Sequence, residues 1–586
     1  MMNVPKVVAP WAGARVASGA WVLAGLAMAC AGGVGVAALR HTGSLAFPID
    51  DAYIYSNYVL YAAHGHLFTY NDGELSGGIT SFSWYVLCTL AYWLISPLHD
   101  LLGVLAPPVV RADAALSAQA GHVYLAAYLP GLLCHAATVL GVYRLAQVTL
   151  PLLVPPAPGA VGMPAHRSFC WLLGAVAAAD AGLVWGAMSG LEVPLASAVA
   201  VWSVYLLALE AGQERLRWSL LLAGLLMWAR PELITIVPVG ALWLVVRGVT
   251  VGAGGACPGS SALRWALRSA AVYMLAGVVG AAALCLVYLV GWGKPFPGSF
   301  YAKVGGLRLG VRFFSAALEL WLAGRFLPFV AGAVAVAGGL LGWLWPPAVK
   351  GGGQGQNYSQ GQSQSRLNAL LLLMVGVAYV AAVMVTLPWF GQEDRYLLPI
   401  HPIVIVLMGL AVWLLVGPFL QSLHVWSGRG VLAASAAVGA AVGAAAVCVL
   451  LVVANYWWAT RNYVVEVRNI TDAHVVPARW LSANTPPDAV VAAEPIGAVR
   501  LFSERRTIDL VGLTTPVTLG TYGNWPLAGQ VLRRAGARYL LYYPDWFGRD
   551  GPPVWAVERK RFPIPDNRIA GADVIAVYEL SWDGYP

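Results

Sequence analysis

Charge is what this sequence has least of. Only 11% of its 586 residues are Asp, Glu, Lys or Arg, against 59% that are hydrophobic. A soluble domain has too little interior to hide so much apolar surface, so a soluble protein is excluded. Cysteine is sparse too: Cys30, Cys88, Cys134, Cys170, Cys257, Cys285 and Cys448, with no CxxC pair. Six of these lie in apolar stretches and none in the C-terminal part, which argues against a disulfide framework or a cysteine zinc site. There is no HExxH motif and no internal repeat, and no glycine-rich phosphate loop opens a helix in the C-terminal part. The one GxGxxA match, Gly33 to Ala38, sits inside an apolar run and is coincidental.

What is there instead is a series of long apolar stretches. They fall near 16–39, 80–98, 121–147, 169–187, 191–211, 216–230, 232–248, 269–292, 325–346, 367–388, 401–417 and 430–456. Many reach the ~20 residues needed to cross a bilayer. They are continuously apolar rather than alternating over ~10 residues, so they read as helices and not barrel strands. The 25 Trp and 25 Tyr suit interfacial anchors. Lys6 and Arg15 precede the first run, as in an uncleaved signal anchor.

The basic excess belongs to the loops between these runs. From residue 459 onward there are 14 basic and 13 acidic residues, whereas residues 1–458 hold 21 and 14. Nothing in that distribution reads as a nucleic-acid footprint. Arg144/Arg167, Arg215/Arg217, Arg247/Arg264/Arg268, Lys350/Arg366 and Arg429 make every second loop basic, and the positive-inside rule places those loops in the cytoplasm. With the N-terminus also inside, the number of crossings is odd. A further span around 99–119 would satisfy this, so eleven to thirteen spans are expected. The Gly/Gln/Ser-rich stretch Gly351–Ser365 reads as a disordered loop.

The expected architecture is therefore a polytopic α-helical membrane domain, residues 1–457, followed by an extracytoplasmic α/β domain, residues 458–586. The tail alternates strand and helix: a helix over Val476–Ala483, a strand over 489–493, a helix over Gly497–Ser503 and a strand over Thr507–Leu510. Then come a helix over Leu527–Ala535 and strands over Ala537–Tyr543 and Val574–Leu580, which suggests a small open sheet.

The chemistry-bearing residues cluster on the outward loops. Asp50-Asp51 end the first apolar stretch; a carboxylate pair there can act as a base, hold a cation or be a solvated loop end. Adjacent, partly desolvated carboxylates favour a raised pKa on one of them. His64-Gly65-His66 could bind a divalent cation with nearby carboxylates, but no further ligand motif supports it. Ser189-Gly190-Leu191-Glu192 breaks two spans and also makes a good helix start. Arg230-Pro231-Glu232 puts opposite charges around a proline at membrane depth, either a hairpin turn or a polar wall of a site. Lys294 and Lys303 flank Pro295-Phe296-Pro297-Gly298-Ser299-Phe300-Tyr301 on a predicted outer loop, against the positive-inside trend, which favours an anionic ligand. In Gln392-Glu393-Asp394-Arg395-Tyr396, Arg395 can bridge to a neighbouring acid or clamp a phosphate.

Five of these elements, in order, carry a family resemblance. They are Asp50-Asp51-Ala52-Tyr53-Ile54 with Asn71-Asp72-Gly73-Glu74 and Thr80-Ser81-Phe82-Ser83-Trp84; Ser189 to Glu192; Arg230 to Glu232; Pro297 to Lys303; and Arg395 to Pro399. Together they resemble the GT-C superfamily of membrane glycosyltransferases. The likeness is nearest to bacterial arabinofuranosyltransferases, and more distant to protein O-mannosyltransferases and lipid A aminoarabinose transferases. The tail segments Gly497-Ala498-Val499 and Ile508 to Leu513 are similar to the outer domain of such proteins. One departure is Pro297-Gly298-Ser299, where the family pattern would have Pro-Asn-Thr.

The resemblance implies a glycosyltransferase of the plasma membrane. Its donor would be a polyprenyl-phosphate-linked sugar, and its acceptor a hydroxyl on a glycan, lipid or protein at the outer face. A carboxylate of the pair, Asp50 in preference to Asp51, would be the general base. Lys303 and Arg395 would meet the phosphate. Glu192 and Glu232 would position sugar or acceptor, Arg230 would hold a carboxylate or phosphate, and Tyr396 belongs to the same substrate-binding set. No resident cofactor or metal is implied beyond that weak divalent-cation reading. A secondary transporter or a membrane-anchored glycan-binding protein are the rival readings. The first lacks a sequence repeat, and the second leaves the loop charges unexplained.

Overall fold

The computed structural model describes residues 16–105, 118–150, 164–253, 260–303, 353–386, 395–426, 431–548 and 551–583. Long helices dominate up to residue 470. In order they are α1 (Val16–Thr42), α2 (Asp50–Ala63), α3 (Phe82–Leu105), α4 (Ala118–Thr149), α5 (Pro164–Ala178), α6 (Ala181–Met188), α7 (Val193–Gly212) and α8 (Trp218–Ala229). They continue with α9 (Ile236–Ala253), α10 (Ser260–Trp292), α11 (Gly298–Lys303), α12 (Gly353–Thr386), α13 (His401–Trp426) and α14 (Val431–Ile470). A short hairpin, β1 (Thr69–Asn71) with β2 (Glu74–Leu75), lies in the loop after α2.

Among the described residues, six helices are long and apolar enough to cross a membrane, and a seventh span is broken. The chain is a multi-pass membrane protein. α10 exposes Val272, Leu275, Val278, Val279, Leu286, Leu289 and Val290, a lipid-facing surface that water would not tolerate. On its other side it meets α8 so closely that a Cβ at Gly280 would lie 1.9 Å from the Gly224 carbonyl oxygen. Small residues allow such contacts where hydrophobic burial gives no drive between helices.

Three expectations are corrected. The stretch 169–187 is not one continuous helix: α5 and α6 meet at 50° at Asp180, whose carboxylate caps α6 by accepting from Leu183 N at 3.0 Å. The connector after Gly351 is helical from Gly353, because glutamine continues the helix of the apolar stretch that follows. α3 runs on to Leu105 through part of the extra span expected at 99–119. The remainder of that span, and the one expected at 325–346, lie outside the described residues.

α14 continues through a π-helical turn, Thr471–Val475, into the tail. There α15 (Val476–Asn484), α16 (Ile496–Ser503) and α17 (Trp525–Arg534) pack with a five-stranded sheet. Its strands are β3 (Val490–Ala493), β4 (Arg506–Asp509), β5 (Ala537–Tyr542), β6 (Ala556–Pro563) and β7 (Val574–Leu580), in the order β4-β3-β5-β7-β6. β3 runs parallel to β4 and β5; β7 is antiparallel to β5 and β6. The sequence reading lacked β6, whose run Glu558-Arg559-Lys560-Arg561 hides strand character behind charge. It is an edge strand, where charge is favoured.

Polar contacts from the first loop fasten the tail to the membrane domain. Asn71 donates to Thr507 O and accepts from Thr507 N, both at 3.0 Å, imitating a strand neighbour. Tyr70 OH donates to Ile496 O at 2.7 Å, Ser76 Oγ to Thr514 O at 2.7 Å, and Asn57 Nδ2 to Gly497 O at 2.9 Å. Arg506 pairs with Glu74 at 2.6 Å. The Asn71-Asp72-Gly73-Glu74 motif thus joins the domains instead of lining a site.

Candidate functional site

A cavity of about 320 Å³ opens between the helices and the tail. Segments from across the chain line it: Asp51, Thr80, Glu192, Arg230, Glu232, Pro297, Ser299, Phe300, Arg395 and Tyr396, with Leu513 from the tail. Every one of the five outward motifs contributes to this wall.

The charged groups are interlocked. Arg230 follows α8 in extended conformation (φ −163°, ψ 134°), since Pro231 restricts the residue before it. That turn buries its guanidinium, which meets Glu192 Oε1 at 3.3 Å and Glu232 Oε2 at 3.1 Å. Glu192 sits at the N-cap of α7 without using its side chain to cap, so its carboxylate is left for Arg230. The Arg230-Pro231-Glu232 turn lines the cavity with this charged pair. Tyr396 lies between two guanidinium groups, 4.7 Å from Arg230 and 5.1 Å from Arg395. Tyr379 on α12 steadies that corner by donating to Tyr396 O at 2.9 Å.

Arg395 bonds Asp51 Oδ2 through Nη1 at 2.7 Å and Tyr396 OH through Nη2 at 3.3 Å. Its Nε is buried. Among the described residues this donor of the cavity wall has no partner, and a polar ligand in the site would satisfy it. Asp51 remains one-third exposed.

Asp50, the favoured base by resemblance, is placed elsewhere. Its Oδ2 accepts from Gly497 N at 2.7 Å, and its Oδ1 from Ala498 N at 3.0 Å and from His474 Nδ1 at 3.2 Å. It caps α16 of the tail. His474 in turn contacts Tyr543 OH at 2.7 Å. Of the remaining expected site residues, Glu192, Arg230, Glu232, Arg395 and Tyr396 meet in the cavity with Asp51, whereas the side chain of Lys303 lies outside the described residues. His64 and His66 are exposed and do not line the cavity. Among the described residues no group of three or more His, Cys, Asp or Glu side chains could hold a metal ion.

The departure at Gly298 has a steric cause. Its N–H donates to Gly77 O at 2.6 Å, and a Cβ there would lie 2.0 Å from the Leu513 carbonyl oxygen. Asparagine cannot occupy that position while Leu513 stands in the wall. Asp509 sets Leu513 in place: its carboxylate accepts from Val511 N and Thr514 N, both at 2.8 Å, and so shapes the loop between them. Leu513 and Tyr55 were missed as lining residues by sequence reasoning; only the likeness of the Ile508–Leu513 segment pointed near the first.

The fold has relatives. The chain superposes on the archaeal oligosaccharyltransferase AglB of Archaeoglobus fulgidus, solved with an inhibitory peptide and a dolichol-phosphate, with a TM-score of 0.52 and 10% identity over 90% of this chain and 70% of that one. It superposes on ArnT of Cupriavidus metallidurans, solved bound to undecaprenyl phosphate, with a TM-score of 0.50 and 13% identity over 96% and 98% of the two chains. This chain has the GT-C fold. A family described as a domain of unknown function (DUF8728) matches residues 466–580, the tail of this GT-C chain. No curated protein matches the sequence. Relative to the GT-C pattern read from the sequence, the cavity keeps all five motifs and changes which member of the aspartate pair faces it.

Proposed function

We propose that this GT-C chain is a glycosyltransferase that moves a sugar from a polyprenyl-phosphate donor to an acceptor hydroxyl at the outer face of the membrane. The observation that carries the reading is the convergence of Asp51 and Arg395, a carboxylate and a guanidinium with a spare buried donor, in one cavity between the helices and the tail. The fold shared with lipid-phosphate-bound AglB and ArnT supports it.

On this reading Asp51 takes the proton of the acceptor hydroxyl. The oxygen forms a bond to the anomeric carbon, the bond from that carbon to the phosphate oxygen breaks, and polyprenyl phosphate leaves with the electron pair. Arg395 stabilises the charge gathering on that phosphate, because a guanidinium fork fits its oxygens. Arg230 is already neutralised by Glu192 and Glu232, so it supports the wall and leaves the phosphate to Arg395. Phe296, Phe300, Ile234 and Met227 give the cavity an apolar flank suited to the first isoprene units. An outward tail follows from the basic loops.

Binding of undecaprenyl phosphate to the purified chain, followed by native mass spectrometry, tests the donor reading. Wild type is expected to bind and Arg395→Ala to bind much more weakly. Equal binding by both would remove Arg395 from the site. No binding by wild type would remove the lipid donor.

A further inference from the structure

The cavity wall carries hydroxyl groups that the steps above leave unused. Tyr55 lies one helical turn after Asp51 in α2, so the two side chains share a face, and both line the cavity. Its phenolic oxygen accepts from Ser81 N at 2.8 Å. Ser81 is itself held at the start of α3, where its Oγ accepts from Trp84 N and donates to Trp228 O, both at 3.2 Å. The Tyr55 ring is therefore fixed, with its oxygen already serving as an acceptor. A phenol also has one proton to donate, and no described residue accepts it. Only 7% of Tyr55 is exposed, so this donor belongs to the wall and is withdrawn from bulk solvent.

A second spare donor comes from the residue before Ser81. Thr80 Oγ1 and Ser299 Oγ, both of cavity-lining residues, are 2.9 Å apart. Two hydroxyls hold two protons and this contact uses one, so the other has no acceptor among the described residues. Ser299 follows Gly298, where the family pattern would have an amide side chain and this chain has none. The matching acceptor is Glu192, which meets Arg230 through Oε1 at 3.3 Å and can take a hydroxyl proton on Oε2.

We propose that Tyr55 and the Thr80–Ser299 pair form the subsite for the transferred sugar, and that this sugar is neutral and bears free hydroxyl groups. The proposal rests on the glycosyltransferase reading above and names the class of its donor. The anomeric carbon has to reach both Asp51 and the phosphate on Arg395, and Tyr55 is one turn, about 5–6 Å, from Asp51. Neutrality follows from what the wall offers. Its spare O–H donors need acceptor oxygens, which an ammonium group lacks. Among the described lining residues the carboxylates of Asp51, Glu192 and Glu232 outnumber the guanidinium groups of Arg230 and Arg395, so an acidic sugar is repelled. Neutral hydroxyl groups accept from Tyr55 and donate to Glu192 without adding charge.

Competition between lipids for the purified full chain, read by native mass spectrometry, tests it. The probes are bare undecaprenyl phosphate and undecaprenyl phosphates bearing glucose, mannose, galactose or arabinose, with galacturonosyl and glucosaminyl lipids as charged controls. Wild type is expected to bind at least one neutral glycosyl lipid more tightly than the bare lipid and than either charged one. Tyr55→Phe should cut that preference roughly three- to tenfold, the loss of about one hydrogen bond. It should bind the bare lipid as wild type does. Thr80→Val combined with Ser299→Ala should behave in the same way. A preference kept by either variant, or a wild-type preference for a charged sugar, would overturn the subsite. So would an equal loss for bare and glycosyl lipids, which is what a merely structural role gives. Wild type that binds the bare lipid with no preference for any neutral sugar would also overturn it, leaving the donor lipid in place. If Tyr55→Phe fails to fold, the double variant decides alone. Wild type that binds none of these lipids would instead overturn the donor reading on which the subsite rests.

Discussion

Asp51 and Arg395 are paired at 2.7 Å in the wall of the cavity, carboxylate against guanidinium, from opposite ends of the membrane domain. On the proposed reading this pair is the resting state of the site. A phosphate entering the cavity competes with Asp51 for the guanidinium fork, and the carboxylate it displaces is then free to accept a proton.

The two aspartates are accordingly expected to fail in different ways. Asp51→Asn should lower the release of polyprenyl phosphate from a polyprenyl-phosphate sugar by about 10²–10⁴-fold with little change in melting temperature. Asp50→Asn should weaken the cap on α16 and the seat of the tail, by about 0.5–2 kcal/mol. Release assays and thermal melts on both purified variants check this. Full turnover by Asp51→Asn would remove it as the base.

Arg395→Ala is expected to reduce the chemical rate by an amount equivalent to about 2.7–4 kcal/mol. Arg395→Lys should recover only part, because a lysine cannot present two parallel donors. Single-turnover kinetics compares the two, and full rescue by lysine would argue against bidentate phosphate contact.

Arg230→Ala should be a folding defect before it is a catalytic one. It strands Glu192 and Glu232 without their buried cation, which typically costs about 3–5 kcal/mol. A thermal melt in detergent reads this directly. Unchanged stability with lost activity would return Arg230 to the ligand.

Gly298→Asn, which restores the residue the family pattern would have, should push the Leu513 loop away from the cavity. Limited proteolysis between 510 and 524 is expected to accelerate in this variant, whereas Gly298→Asn with wild-type protection would contradict the close approach.

Glu494 and Asp509 give the tail a pH dependence. Burial raises Glu494 from 4.5 to about 8 and Asp509 from 3.8 to about 6. Between the ordinary and raised values the folded chain holds protons that the unfolded chain has released. Stability therefore falls as pH rises through that window. Melting temperature should be higher at pH 5 than at pH 8, and Glu494→Gln should flatten the part of the curve above pH 6. A wild-type curve that rises over the same range would contradict it.

Much of this protein follows from local sequence. Continuous apolar runs dictate membrane helices because the bilayer leaves a backbone no other solvent. The tail strands Val490–Ala493, Ala537–Tyr542 and Val574–Leu580 are short apolar runs bounded by turn residues, so their positions were legible. Arg230-Pro231-Glu232 announced a break because proline and paired charges cannot continue an apolar span. The tertiary structure alone decided what these parts do together. No local pattern says that Glu192 and Glu232 share one guanidinium, that Gly298 yields its side-chain space to Leu513, or that Asn71 completes a strand of the tail. Asp50 and Asp51 make the point most sharply. Neighbours in sequence, they are nearly equivalent as chemistry. On the first turn of a helix, however, successive side chains point roughly 100° apart, at about 3.6 residues per turn. One therefore reaches the tail and caps α16, and the other reaches the cavity and meets Arg395.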